Sequence, residues 1–205
     1  MLNFNFEYES IEQGLVPVVG VDEAGRGPWA GPVVAGAVIL DIETMPERLS
    51  LDLDDSKKLT SKKREELFQL LLNCAKIGIG ISSVDEIDAL NILQATMLAM
   101  KRAVENLGLS PGMVLVDGNV LPNWSHPCRA IIKGDGLSLS IAAASIVAKV
   151  SRDQVMADLA REHPQYGWER NAGYGTKEHH HSLVEFGVCK HHRRSFKPIR
   201  NILGI

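Results

Sequence analysis

The sequence predicts an α/β fold: a mixed five-stranded sheet with helices on both faces and a small helical extension at the C-terminus. Three observations lead to it. Short β-branched runs recur at Val16–Val21, Pro32–Leu40, Ile77–Ile81, Met113–Val116 and Cys128–Ile132, each with the length of a strand. The first two flank a Gly/Pro turn and therefore form a hairpin. The later runs alternate with segments of helical period, as crossover connections require.

Val16–Val21 reads as a buried strand that ends abruptly in Asp22 and Glu23, followed by Gly25-Arg26-Gly27-Pro28. Side chains alternate along a strand, so the two acids start on opposite faces. They converge only if the strand bends after Asp22, and the glycines supply freedom for such a bend. Gly25-x-Gly27-x-x-Ala30 fits the loose dinucleotide fingerprint, but that motif needs a helix to follow. Here Pro28, Pro32 and a second strand follow instead.

Asp41–Asp55 is polar, contains Pro46 and reads as a loop. Ser61–Cys74 carries Leu67, Leu70 and Leu71 on one helical stripe. Ile77–Ile81 alternates with period two, and Asp85–Asp88 reads as a turn or short helix. From Asn91 to Leu107, Leu93, Met97, Met100, Val104 and Leu107 share a helical face, and Gly108 follows as a C-cap. The methionines of this stripe fill a core. Met113–Gly118 and Cys128–Gly136 repeat the opening theme of an apolar strand running into Asp-Gly. Ser138–Glu162 is a long helix whose Ala142-Ala143-Ala144-Ser145 patch allows close packing, and His163-Pro164 ends it. Asn171–Thr176 is a loop, and the tail holds one or two more helices. The expected organisation is a principal domain at 1–165 with a loop and helical segment at 166–205 packed on it.

A chain of 205 residues, 45% hydrophobic, builds a core that needs no staples. No run approaches the ~20 apolar residues of a membrane span. Met1–Glu7 has neither a basic region nor an apolar signal core, so no export is expected. Cys74, Cys128 and Cys189 are scattered and odd in number, which fits neither a disulfide framework nor a zinc site and points to a reducing cytoplasm. The net charge of −3 argues against a generally basic nucleic-acid binder. From Thr176 onward, however, six basic residues stand against two acids, a net of +4 that leaves −7 for the rest. A basic segment on an acidic body suits a polyanion together with cations; by charge alone a solvated C-terminal helix suits it as well.

If the strands ending at Asp22 and Asp117 are parallel neighbours, Asp22, Glu23, Asp117 and Asp135 meet at the sheet edge where α/β ligands bind. Like charges raise one another's pKa, and divalent cations relieve this. All-oxygen ligation favours Mg2+ or Mn2+ over zinc. Two such ions about 4 Å apart can activate a water and stabilise the leaving oxygen of a phosphodiester. Arg26 and the glycine amides suit a phosphate.

Asp22-Glu23-Ala24-Gly25-Arg26-Gly27, Asp55-Ser56-Lys57-Lys58-Leu59, Asp117-Gly118-Asn119, Lys133-Gly134-Asp135, Ala143-Ala144-Ser145-Ile146-Val147-Ala148-Lys149 and His192-Arg193-Arg194-Ser195-Phe196 together resemble bacterial ribonuclease HII, the type 2 ribonuclease H. The resemblance covers nearly the whole chain, in order. It implies a ribonuclease H-like fold and a monomeric, cytoplasmic endonuclease that uses Mn2+ or Mg2+. It implies cleavage of RNA in RNA–DNA hybrids, and on the 5′ side of single ribonucleotides in duplex DNA, leaving a 3′-hydroxyl and a 5′-phosphate. Asp22, Glu23, Asp117 and Asp135 match the family's metal-binding acids. Gly25-Arg26-Gly27 matches its ribose-sensing loop, and Tyr174 the tyrosine at the RNA–DNA junction. Gly175 departs from the proline many relatives carry, which implies a looser loop at Tyr174. The residues themselves also allow a DNA junction resolvase of the same fold, or a non-catalytic nucleic-acid module whose acids hold a structural cation.

Ser145, Lys149, Arg193 and Arg194 are further candidates for phosphate contact, with packing for Ser145 and solvation for Lys149 as the alternatives. Three consecutive histidines, His179-His180-His181, cannot share one metal from a helix. They are expected in a solvated turn, with the resemblance singling out His179 as a possible helper near the site. His191 and His192 are expected at the surface. Trp29 reads as a hairpin anchor in preference to a base-stacking platform.

Overall fold

A computed structural model describes residues 2–205. The five strands are β1 (Val18–Ala24), β2 (Val33–Leu40), β3 (Ala75–Ser82), β4 (Met113–Asp117) and β5 (Cys128–Ile131), in the sheet order β3-β2-β1-β4-β5. β1 pairs antiparallel with β2, and β2 with β3; β1 with β4 and β4 with β5 are parallel. The mixed sheet is therefore as expected, with the parallel step between the two strands that carry Asp22 and Asp117.

The helices among the described residues are α1 (Asn5–Glu12), α2 (Glu47–Asp52), α3 (Ser61–Cys74), α4 (Val84–Leu90), α5 (Ile92–Glu105), α6 (Leu139–Glu162), α7 (Trp168–Asn171), α8 (Lys177–Phe186) and α9 (Lys197–Leu203). α2 departs from the reading of its segment as a loop. α2 interrupts the supposed loop because Leu49 finds a fully buried place among Leu67, Leu71 and Val38. Several starts are sequence-encoded: Thr60, Asn91, Ser138 and Thr176 each accept a backbone N–H of the first turn, and Ser83 with Glu86 forms a capping box.

One face of the sheet is covered by α5. Its Ala99, Met100, Ala103 and Val104 bury against Val19, Val21, Val33 and Val116. The other face is covered by α6, whose residues from Leu139 to Ala148 are all buried. That explains their uniformly small or apolar character, which lacks the one-sided pattern of a surface helix. Gly20 makes this seating possible: a Cβ there would stand 2.1 Å from the carbonyl carbon of Ser140. Because side chains alternate, Val18, Gly20 and Asp22 face α6, whereas Val19, Val21 and Glu23 face the α5 side.

The segment after α6 packs back on the same body. Tyr166, Trp168, Leu183 and Ile199 bury against Met156 and Ala160 of α6 and Ala30 of the hairpin connection. No helix among the described residues is long and apolar enough to cross a membrane.

Candidate active site

The parallel register places Val21 beside Val116, so the next residues, Asp22 and Asp117, lie side by side on the α6 face. Asp135 arrives from the short turn Gly134–Gly136 between β5 and α6. Carboxylate oxygens of Asp22, Asp117 and Asp135 lie within 4.8 Å of one another. Backbone donors hold two of them in place: Glu23 N–H donates to Asp22 Oδ1 at 2.7 Å, and Gly134 N–H to Asp117 Oδ1 at 2.7 Å.

Glu23 is not in this group, and the reason is the strand. β1 does not bend after Asp22 but stays paired with β2 through Ala24. Glu23 therefore keeps the opposite face and accepts a hydrogen bond from Arg26 at 3.2 Å. Its charge still reaches the cluster. Burial, then Glu23, then Asp117 drive the Asp22 carboxyl well above its usual range. Burial raises Glu23 against the opposing pull of Arg26. Burial, Asp117 and Asp55 raise Asp135, and Lys57 opposes them. The nearest counter-charge is Lys57, whose Nζ lies 3.6 Å from Asp135 Oδ2 but whose side chain is 78% exposed. Three clustered carboxylates, two of them with raised proton affinity, and one solvated lysine make a hard-cation site by chemistry as well as by spacing. Lys57 and Asp55 were visible in the sequence only as part of a motif, with no role attached.

The Gly25-Arg26-Gly27 turn is held rigidly from beneath. Arg193 is fully buried. It donates to the carbonyls of Gly25, Arg26, Gly31 and Pro32. Burial lowers its pKa to about 9, so it stays charged at neutral pH. Arg152, also buried, donates to the carbonyls of Ala30, Pro32 and Ala172. Backbone pairing adds Trp29 N–H to Gly173 O and Gly31 N–H to His191 O. This corrects the expectation of a phosphate contact at Arg193: its guanidinium is enclosed and occupied by the loop backbone. Arg194 remains exposed, with its backbone N–H on Asp88. Arg26 is half exposed at the rim.

Tyr174 is 49% exposed. Its Cε1 lies 3.5 Å from the point where a Gly27 side chain would begin. The loop beside it is not loose. A Cβ on Gly175 would fall 2.0 Å from the Trp29 indole, so glycine here lets Trp29 lie flat against the loop. Trp29 is thus an anchor, as expected. Ser145 and Lys149 stand apart from the acids: Ser145 is buried and its hydroxyl donates to Ala142 O, and Lys149 pairs with Asp153 at 2.6 Å. Ser145 thus takes the packing alternative, and Lys149 lies on the polar face of α6.

The histidines differ most from expectation. His179 to His181 lie in the first turns of α8, not a solvated turn, and His179 is fully buried, as is His192. His179 Nδ1 lies 2.9 Å from Tyr174 O and therefore carries the proton. Its Nε2 is then an acceptor, taking Trp168 Nε1–H at 3.2 Å and facing His192 Nε2 at 3.1 Å. His192 Nε2 must donate, which leaves its Nδ1 to accept the Cys189 backbone N–H at 3.1 Å. Both rings are neutral, and burial, with His179 adding, pushes His192 down to about 3. A run of histidines gives no hint of this; the signal was the Trp168, Tyr174 and Cys189 partners, three to eleven residues away.

The ribonuclease HII family description matches residues 19–199. Ribonuclease HII of Ruegeria pomeroyi is 55% identical over 202 residues, covering 98% of this chain and 85% of that protein. Ribonuclease HII of Paramagnetospirillum magneticum is 59% identical over 182 residues, covering 89% and 90%. Among solved structures, ribonuclease H2 from Pyrococcus horikoshii is similar, with a TM-score of 0.74 at 29% identity over 90% of this chain and 96% of that one.

Proposed function

The chain belongs to the ribonuclease HII family, and from that premise we propose how its residues carry the activity. As a member of that family it is a metal-dependent nuclease, a hydrolase acting on RNA–DNA hybrids with divalent cations. The finer reading is that it also cuts on the 5′ side of a single ribonucleotide in duplex DNA, leaving a 3′-hydroxyl and a 5′-phosphate, by a two-ion mechanism with Mg2+ or Mn2+. The observation that supports it is the convergence of Asp22, Asp117 and Asp135 beside the Gly25–Gly27 turn and Tyr174.

In this reading Asp22, Asp117 and Asp135 would hold the first cation, which would relieve the raised proton affinity of Asp22 and Asp135. Glu23 is the remaining carboxylate, and it serves a second ion by exchanging its contact with Arg26. Bound divalent cations supply Lewis-acid activation of water and charge stabilisation at the leaving oxygen. The chain supplies placement. Arg26 and the turn amides receive the phosphates flanking the scissile bond. The Arg193 and Arg152 contacts keep that turn from yielding, and Tyr174 lies against the sugar, where a 2′-hydroxyl distinguishes RNA from DNA. Arg194 and Lys197 contact the duplex backbone farther out. The segments 1–165 and 166–205 work as one unit here, because the second contributes Tyr174 and Arg193 to the first.

The test is cleavage of a duplex carrying one ribonucleotide, mapped to the nucleotide, with Mg2+, with Mn2+ and with chelator. One cut 5′ to the ribonucleotide, dependent on metal, is expected, with an all-DNA duplex bound but uncut. Cleavage of the all-DNA duplex at a comparable rate would overturn the ribose-sensing role.

A further inference from the structure

We propose that Glu162, His163 and His191 form a second metal site, for a borderline transition ion such as Zn2+. One donor atom from each of the three lies within 4.8 Å of the other two. The two imidazole rings meet edge to face with centroids 5.2 Å apart. Independently, Nε2 of His191 is shielded from solvent and has no hydrogen-bond partner among the described residues. A buried ring nitrogen without a partner is costly in either tautomer. A metal ion bound at that nitrogen would remove the cost by taking the lone pair.

The donor set decides the kind of ion. Two imidazoles and one carboxylate suit Zn2+, Co2+ or Ni2+, whereas Mg2+ and Ca2+ prefer all-oxygen sites such as the acid cluster. Metal–ligand bonds of about 2.0–2.2 Å place tetrahedral ligand atoms roughly 3.4 Å apart. Binding an ion draws the three donor atoms to that spacing. Glu162 is exposed and can make most of that movement, and its side gives the ion a way in.

The site's position gives it a consequence. Glu162 is the last residue of α6 and His163 its C-cap. His191 lies in the strap that leads into His192 and Arg193, and its carbonyl accepts the Gly31 N–H of the hairpin connection. An ion here joins the end of the long helix to the strap that holds the Gly25–Gly27 turn. It would stabilise the folded protein by mass action, whether or not the acid cluster is loaded.

The experiment uses untagged protein in excess Mg2+, which occupies the acid cluster, with Zn2+ added and binding followed by calorimetry and thermal melting. Co2+ replaces Zn2+ for a visible spectrum of histidine ligation. One Zn2+ per chain with a rise in Tm is expected. His163→Ala, His191→Gln and Glu162→Gln should each weaken Zn2+ binding by about tenfold or more. His181→Ala, at an exposed position on α8, should leave it unchanged. Glu162→Gln alters only a surface side chain, so it remains informative if a histidine variant fails to fold. Zn2+ binding that is absent in excess Mg2+, that survives all three substitutions, or that disappears in Asp22→Asn instead would overturn the proposal.

Discussion

Two buried groups of titratable side chains flank the Gly25–Pro32 connection, and they handle burial in opposite ways. On one side Asp22, Asp117 and Asp135 stand together with few donors, and their repulsion is left for a ligand to relieve. On the other, His179 and His192 are as deeply buried, yet every ring nitrogen has a partner and neither ring is charged. The first group is a site because its polar demands are unmet within the chain. The second is a scaffold because they are met. Buried titratable residues alone do not mark function; the balance of their hydrogen bonds does.

The comparison breaks most visibly in activity. Asp117→Asn or Asp22→Asn should lower cleavage by on the order of 10³-fold, about 4 kcal/mol of barrier. The fold should persist, because neither acid is a structural hub. His192→Gln, in contrast, should lose stability while the molecules that remain folded cut at near the original rate. Single-turnover rates normalised to the folded fraction separate the two. An Asp117→Asn protein with near-normal rates in Mg2+ would remove the acid cluster from the chemistry.

The scaffold's largest element is Arg193. Arg193→Ala strands the carbonyls of Gly25, Arg26 and Gly31 and leaves Pro32 O to Arg152 alone. At about 1–3 kcal/mol for a buried group left unpaired, a loss of about 3 kcal/mol is expected even with local relaxation. Arg194→Ala, one residue on and exposed, should change stability by less than about 0.5 kcal/mol and instead weaken duplex binding. Denaturant melts of the pair measure the contrast. Equal effects would show that the strap, not the guanidinium, holds the loop.

Much of the acid side was legible in the sequence, because strand period and strand ends are local properties. The five strands, α3, α5 and α6, and the meeting of Asp22 with Asp117 follow from alternation and from apolar runs that stop at Asp. Glu23 was misplaced because a bend had to be assumed, and hydrogen bonding to β2 overrode the freedom of Gly25. The scaffold side was hidden. A Cys189–His192–Arg193 stretch looks like polar surface until Trp168, Tyr174 and four hairpin carbonyls, from elsewhere in the chain, enclose it. α2 was missed for a similar reason, since Leu49 is helical for the sake of a tertiary pocket.

The two groups also respond to pH with opposite signs in metal-free protein. Asp22, Glu23 and Asp135 have raised folded pKa values. The unfolded acids are ionised at neutral pH, whereas the fold penalises their charged forms. As pH falls through the folded values the native state takes up protons first, so stability rises until the unfolded acids titrate near 4. His192 has the reverse shift, to about 3. Above about 6.5 it is neutral in both states and contributes nothing. Below that the unfolded chain binds a proton that the fold refuses, and stability falls. At pH 5 this amounts to about 2 kcal/mol. Melts in chelator from pH 7 to 5 should therefore decline more steeply for Asp22→Asn than for the parent, and flatten or turn upward for His192→Gln. Parallel curves for all three would show that neither group is protonated differently on folding.

The smallest effect concerns Asp135, which lies between the two regimes. It is buried among acids, but it alone of the three carboxylates has a lysine within salt-bridge distance. Asp135→Asn removes one repelling charge and keeps the shape, so the metal-free protein should gain stability. One pKa unit corresponds to about 1.4 kcal/mol, and Lys57 together with solvent screening reduces this to on the order of 1 kcal/mol or less. Mg2+ or Mn2+ should raise the Tm of the parent by binding the folded state. The rise should be smaller for Asp135→Asn, which has lost a ligand, and unchanged for His192→Gln, whose acids are intact. Thermal melts of the three proteins in chelator and in excess metal make the comparison. If Asp135→Asn is less stable than the parent in chelator and gains as much from metal, Asp135 belongs with the scaffold. The cation would then rest on Asp22 and Asp117, with Glu23 the remaining acid able to complete its ligands.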